Sequence, residues 1–388
     1  MKYWIGYLIA AIFAAITWAL HQFAAAHQVL VDMIYPYISR MIVTALAGIN
    51  AGGSPVWQAL LIWGIVILLV TVALMLIFKW NFFQWLGWVL AAVSCVVLLN
   101  TGIYGLNAYA SPLADDMSLI ITDYTVSELN EAAVYFRDQA NELAKQVSRD
   151  AKGDTEFGSF EEMAEKAAEG YEVLTYEDAI SVFAGSTVPV KKQGLFAKKG
   201  DTGITVPLTG EAAVNPKVPE VAMPFAICKE MAHRMCIYSE ADAIFAAFSA
   251  ASRNESIDFQ YSAYLMAYYY CYEALSSIPT STAKACAQQT DSGVNQLVKN
   301  DLKDCTAFFG KTEASKKQTH NLRTGDTRTE QEDSLVSFSK YTSATDLFAS
   351  WYIETYILPL HRDEEAPFDP QDPTQVDLTG IVNAPSAG

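Results

Sequence analysis

The sequence predicts a membrane-anchored, mainly α-helical protein: three transmembrane helices, then an outer domain that also holds a small edge-strand sheet. Three observations carry this. The chain has 388 residues with 26 basic and 43 acidic side chains, yet residues 1–110 hold only Lys2, Asp32, Arg40 and Lys79. The same stretch contains three long apolar runs. After residue 110 the composition becomes that of an ordinary globular domain, and helix-start signals recur. The net charge of −17 also excludes a nucleic-acid partner bound through a basic footprint.

The runs cover 3–20, 57–78 and 82–104. A bilayer core takes roughly 20 helical residues, so each is long enough to cross. None carries an acid or base, which argues against an ion pathway through them. Lys2 and Lys79 flank the runs, and placing both in the cytoplasm puts everything after residue 105 outside, with Arg40 the one dissenting charge. The first run reads either as a retained anchor or as a signal peptide cleaved near Ala24–Ala26; its single lysine and its length favour the anchor. Segment 28–50 is apolar but interrupted by Asp32, Pro36 and Arg40. It fits either a helix in the membrane interface or packed on the spans, or an ordinary outer hairpin. Residues 1–110 are therefore taken as the anchor.

In residues 111–360, capping patterns at Thr125–Glu128, Ser159–Glu162 and Thr175–Asp178 predict helices over 126–149, 160–170 and 176–184. The basic loop 191–200 (KKQGLFAKKG) reads as charge balance in an acidic domain. Residues 203–210 predict a strand, and the Val206-Pro207 pair places it at a sheet edge. Further helices are expected over 220–237, 240–252, 256–277, 291–309 and 342–359. The polar segment 311–334 reads as a loop and the acidic, proline-rich 361–388 as a disordered tail. Tyr261, Tyr264, Tyr268 and Tyr272 share one helix face, which reads as packing. Cys95 falls within a span. Of the five outer cysteines, a Cys286–Cys305 or Cys271–Cys286 bridge fits, but spacing does not choose between them.

The chemistry concentrates in residues 229–233, Lys-Glu-Met-Ala-His. In the zincin pattern HExxH, two histidines one helical turn apart hold Zn²⁺ and the glutamate activates the metal-bound water. Glu230 and His233 match that pattern, and Glu240 stands where a further acidic ligand would follow. Lys229 replaces the first histidine. A protonated lysine has three donors and no lone pair, so it is a poor zinc ligand, yet its charge suits the place of a cation. Cys228 lies about 140° around the helix from His233. Cys236, three residues past His233, offers an alternative His233/Cys236/Glu240 donor set.

Several motifs together resemble a family of bacterial membrane proteins called domain of unknown function thirty-eight-ten, which is similar to the Glu-type zincins. They are Tyr35-Pro36 with Ser39, Gly105–Tyr109 with Pro112-Leu113, Pro207–Asn215, Pro224-Phe225, Glu240–Ala243 and Tyr261–Leu265. The resemblance runs from about residue 28 to 360. It implies an α+β zincin-like outer domain, Glu230 as general base, and His233 and Glu240 as metal ligands. It also implies an edge strand whose Thr205, Val206, Pro207 and Leu208 meet an extended peptide. The chain departs from the family pattern at Lys229, at Cys236 in place of a glycine, and at Ile244 in place of an asparagine. These departures favour a catalytically degenerate pseudo-metallopeptidase at the cell surface. It would bind an extended peptide or an envelope protein and need no cofactor. An active zinc enzyme with an atypical site and a purely structural envelope protein are the alternatives.

Overall fold

The computed structural model describes residues 4–185, 187–310, 341 and 343–359. Four helices near the N-terminus are long and apolar enough to cross a membrane: α1 (Ile5–Ala26), α2 (Gln28–Ile49), α3 (Val56–Ile77) and α4 (Phe82–Ile103). Helices α1 and α4 pack along their length and run parallel. Gly6 meets the Gly87 backbone near one end, and His21 Nδ1 lies 3.1 Å from the Tyr109 hydroxyl just past the other. A methyl group at Gly6 would sit 2.5 Å from the Gly87 carbonyl carbon, so two glycines set this close crossing. Helix α3 is the most apolar of the four and is solvent-exposed over most of its length.

Segment 28–50, read from sequence as a helix in the interface or packed on the spans, or else as a hairpin, is one continuous helix despite Pro36. Several of its polar groups bond to other parts of the protein. Asp32 accepts from the Ser111 N–H (2.7 Å) and hydroxyl (2.8 Å). Tyr35 donates to the Thr101 carbonyl, Ser39 to Ile103, and Asn50 to Thr209. Arg40 is buried and donates to the carbonyls of Met235 and Ser181. Helix α2 thus lies along the domain that follows the apolar helices and over the end of α4. Trp57, at the start of α3, is buried and gives its N–H to Glu211 of that domain.

The domain that follows the apolar helices is mainly helical. It begins with the short α5 (Leu113–Asp116), followed by α6 (Val126–Leu143) and α7 (Phe160–Tyr176), and the capping boxes at Thr125 and Ser159 both form. The expected helix 176–184 does not. The Thr175 hydroxyl bonds back to the Tyr171 carbonyl instead of capping, so α7 runs on to Tyr176, and only a short 3-10 turn follows at Ser181–Phe183. Three short strands come next: β1 (Lys191–Lys192), β2 (Gly203–Val206) and β3 (Glu211–Val214). Their order is β1-β3-β2, with β1 parallel and β2 antiparallel to β3. The expected strand 203–210 stops at Val206. Pro207–Gly210 form a hairpin turn, with Gly210 at φ +67°.

Helices α8 (Met223–Arg234), α9 (Glu240–Arg253) and α10 (Ile257–Ser277) follow. Helix α10 is buried on most faces, and Tyr261 and Tyr268 are packing residues. The helix expected over 291–309 forms as α12 (Gln296–Phe309), and before it stands a helix that was not expected, α11 (Ser281–Ser292). Thr280 and Asn295 each cap one through their own side chains. Helix α13 (Ala344–Tyr352) closes the aromatic core, setting Phe348 and Trp351 against Phe136 and Phe248. All six cysteines are unpaired, so neither bridge considered from the sequence forms. The loop at 311–334 and the tail at 361–388 lie outside the described residues.

Gly210 tests the seat of α2. A methyl group there would lie 2.3 Å from the Ala47 nitrogen and 2.5 Å from the Val43 carbonyl oxygen, in a left-handed conformation. Gly210→Ala is expected to destabilise by about 2 kcal/mol or more. Gly48→Ala, on α2 with open space around it, is expected to stabilise by about 0.5–1 kcal/mol. Thermal unfolding of the two variants in the same detergent would check this contrast.

Candidate functional site

Helix α8 carries the motif. Pro224 sits at its start, where the missing N–H costs nothing. It ends in a Schellman turn: the Cys236 N–H bonds to the His233 carbonyl and the Ile237 N–H to Ala232. Cys236 occupies the left-handed position at φ +72°, where glycine is unstrained. That is the position where the family resemblance expects glycine. Its thiol lies 3.2 Å from the Ser39 hydroxyl, which also accepts from Asn107. The His233/Cys236/Glu240 donor set is therefore not assembled, because the sulfur faces α2 and not the cleft. Cys228 is wholly buried in the core.

Lys229, Glu230, His233 and Glu240 converge. The Lys229 ammonium is 2.6 Å from a Glu240 oxygen, 4.0 Å from Glu230, and donates to the Thr202 hydroxyl at 2.8 Å. His233 Nε2 faces the other Glu240 oxygen at 3.2 Å, and its Nδ1 lies 2.9 Å from the Ile237 carbonyl. A carbonyl on Nδ1 orients the ring as in many metal-bound histidines, with Nε2 turned to the site. Burial opposes the charge on Lys229, but the Glu240 and Glu230 carboxylates outweigh it and raise the ammonium's pKa. Partial burial likewise opposes ionisation of Glu240. The His233 hydrogen bond and the Lys229 charge prevail and bring its carboxyl down to about 2. Glu240 keeps more than half its side chain exposed, so the cluster opens to solvent on that side.

Glu230, the candidate general base, is sealed under β2. One carboxylate oxygen accepts from Thr202 (2.9 Å) and the other from Thr205 (3.3 Å). Gly203 permits this approach: a methyl group there would lie 2.8 Å from the Glu230 Cγ and 2.3 Å from the Ala213 carbonyl oxygen. Of the residues expected to meet a peptide, Thr205 turns its hydroxyl inward to Glu230. Val206 ends β2, and Pro207 and Leu208 belong to the turn, with Pro207 buried. What β2 offers outward is backbone: as the end strand, one of its edges pairs with no strand among the described residues.

Two further residues escaped the sequence reading. Tyr104, just past α4, donates its hydroxyl to the His233 carbonyl, and Arg40 of α2 donates to that of Met235. Both satisfy carbonyls at the C-terminus of α8, where the helix dipole favours a cation. Arg40 did carry a signal, as the one basic residue inside an apolar helix. Tyr104 and Thr202 carried none, since their role depends on chain folding. Among the described residues, no group of three or more His, Cys, Asp or Glu side chains is placed to hold a metal ion. The donors at the cluster are His233 and Glu240, with an ammonium in the place of a third.

The family model described as Protein of unknown function (DUF3810) matches residues 31–323, about three quarters of the chain, and the chain belongs to that family. No curated protein and no solved structure matches it.

Lys229→Met leaves two carboxylates without their shared cation. It is expected to destabilise the folded chain by about 3–5 kcal/mol, read by chemical or thermal unfolding. Glu240 titrates lower in the folded chain than in the unfolded one. Its contribution is present above about 4.5 and is lost as the pH falls toward about 2. The loss of stability across that window is expected to be smaller in Glu240→Gln, measured as melting temperature against pH.

Proposed function

We propose that this family member is a catalytically silent pseudo-metallopeptidase: a membrane-bound, zincin-like protein whose outer domain binds or scaffolds an extracytoplasmic partner. The observation that carries the reading is the Lys229 ammonium, 2.6 Å from Glu240 and 4.0 Å from Glu230. It supplies the positive charge that a zinc ion would supply between the same acids, and it cannot donate a lone pair. The intended base is engaged as well, since both Glu230 oxygens receive threonine hydroxyls. Strand β2, beside the motif helix, is where the zincin resemblance implies an edge strand. Its free backbone edge from Gly203 to Val206 suits an extended peptide.

Three membrane crossings fit this reading better than four. Helices α1 and α4 run parallel, so an odd number of crossings must separate them. Helix α3 is the one between them whose surface is apolar and open, whereas α2 directs its polar groups into the outer domain. Arg40, the dissenting charge in the topology argument, is engaged with two backbone carbonyls and so has no bearing on orientation. With Lys2 and Lys79 cytoplasmic, the large domain lies outside.

Elemental analysis and peptide-cleavage assays on the full chain in detergent test the proposal. The native protein is expected to bind no stoichiometric zinc and to cleave nothing. Lys229→His, which restores a His-x3-His pair, is expected to take up about one zinc per chain. Stoichiometric zinc with chelator-sensitive cleavage in the unaltered protein would instead establish an active enzyme with an atypical site.

A further inference from the structure

The basic loop 191–200 stands beside the point where α3 leaves the outer domain. The Leu195 N–H donates to Gln58 Oε1 at 3.2 Å, and Gly194 packs on the same amide. Lys191 reaches back to the Gly52 carbonyl and to Glu211, whose two oxygens accept the Val56 and Trp57 N–H groups at the start of α3. The loop is thus tied to the first turn of the most apolar helix. Gln58 itself is buried, but Leu60 and Leu61 are already exposed. Two residues of helix are about 3 Å, so the loop stands level with the beginning of the apolar surface of α3.

At its tip the loop exposes two large apolar side chains, Leu195 at 47% and Phe196 at 57%. Phe196 is held at φ +64°, a conformation that bulky residues rarely adopt. Lys198 and Lys199 follow on the exposed side, while Lys192 is engaged with Glu161. Charge balance in an acidic domain explains lysines, but it does not explain an exposed leucine and phenylalanine between them.

We infer that loop 193–200 is a membrane-docking finger: Leu195 and Phe196 enter the outer face of the bilayer while Lys198 and Lys199 engage anionic lipid headgroups. Apolar tips flanked by lysines bind bilayers through buried area and headgroup attraction together. The finger gives the domain a second point of attachment beside α3 and holds β1, and through it the sheet, at a set height above the lipid. This rests on the reading that α3 crosses the membrane.

The test uses the full chain in lipid nanodiscs, with the photocrosslinker p-benzoylphenylalanine placed singly at Phe196, at Leu69 in mid-α3, or at exposed Gln288 on α11. Lipid adducts are counted by mass spectrometry. Adducts at positions 69 and 196 but not at 288 are the expected result. In discs containing phosphatidylglycerol, Lys198→Glu with Lys199→Glu should lower the yield at 196 about fivefold or more and leave that at 69 unchanged. Adducts at 69 without any at 196 would overturn the finger and leave the span intact. No adduct at 69 would remove the crossing helix and the finger with it. Equal yields at 196 in neutral and anionic discs would overturn the role given to the lysines, and crosslinks from 196 to protein would overturn a lipid partner.

Discussion

A single ammonium group lets helix α8 lie buried between the sheet and the core. Glu230 is nearly inaccessible to water, and an isolated carboxylate in such a place would be neutralised or expelled. Lys229 stabilises it from 4.0 Å, bonds to Thr202, and draws Glu240 over from the start of α9. Thr202 in turn donates to Glu230. One cation therefore joins α8, α9 and the segment leading into β2.

Helix α2 is the second organising element. At one point it receives the hairpin turn at Thr209-Gly210, and at another it supplies Ser39 and Arg40 to the end of α8. Strand β3 holds the start of α3 through Glu211. The apolar helices and the domain after them are thus connected through specific buried polar bonds and not only through linkers. A shift of α2 would move both the hairpin and the C-terminus of the motif helix. Cys236 belongs to this arrangement. It accepts a left-handed conformation that glycine would take without strain, and its thiol gains a partner on α2.

Local features were legible in the sequence wherever a residue acts on its neighbours. The capping boxes at Thr125 and Ser159 formed as read, because the cap and its acid lie three residues apart. So did the tyrosine face of α10 and the ends of α3 and α4, to within two residues. The reading failed where a local signal had a competitor. Thr175 looked like a cap but sat inside a helix still running. Residues 281–292 lacked an apolar stripe strong enough to stand out. Segment 28–50 was legible as a helix, but its partners were not: Asp32 and Arg40 interrupt its apolar pattern, and both are satisfied by protein groups far away in the chain.

By itself the sequence determined the division into an apolar N-terminal part and a charged domain after it, the family, and the Lys229–His233 motif on one helix. These follow from composition and from spacing along one helix, which the chain specifies without reference to distant residues. Only the tertiary structure decided that Glu230 is clamped by Thr202 and Thr205, that Cys236 faces Ser39 instead of the cleft, and that the basic loop stands at the head of α3. Each of these depends on segments tens to hundreds of residues apart meeting at hydrogen-bond distance, and no local pattern encodes such a meeting.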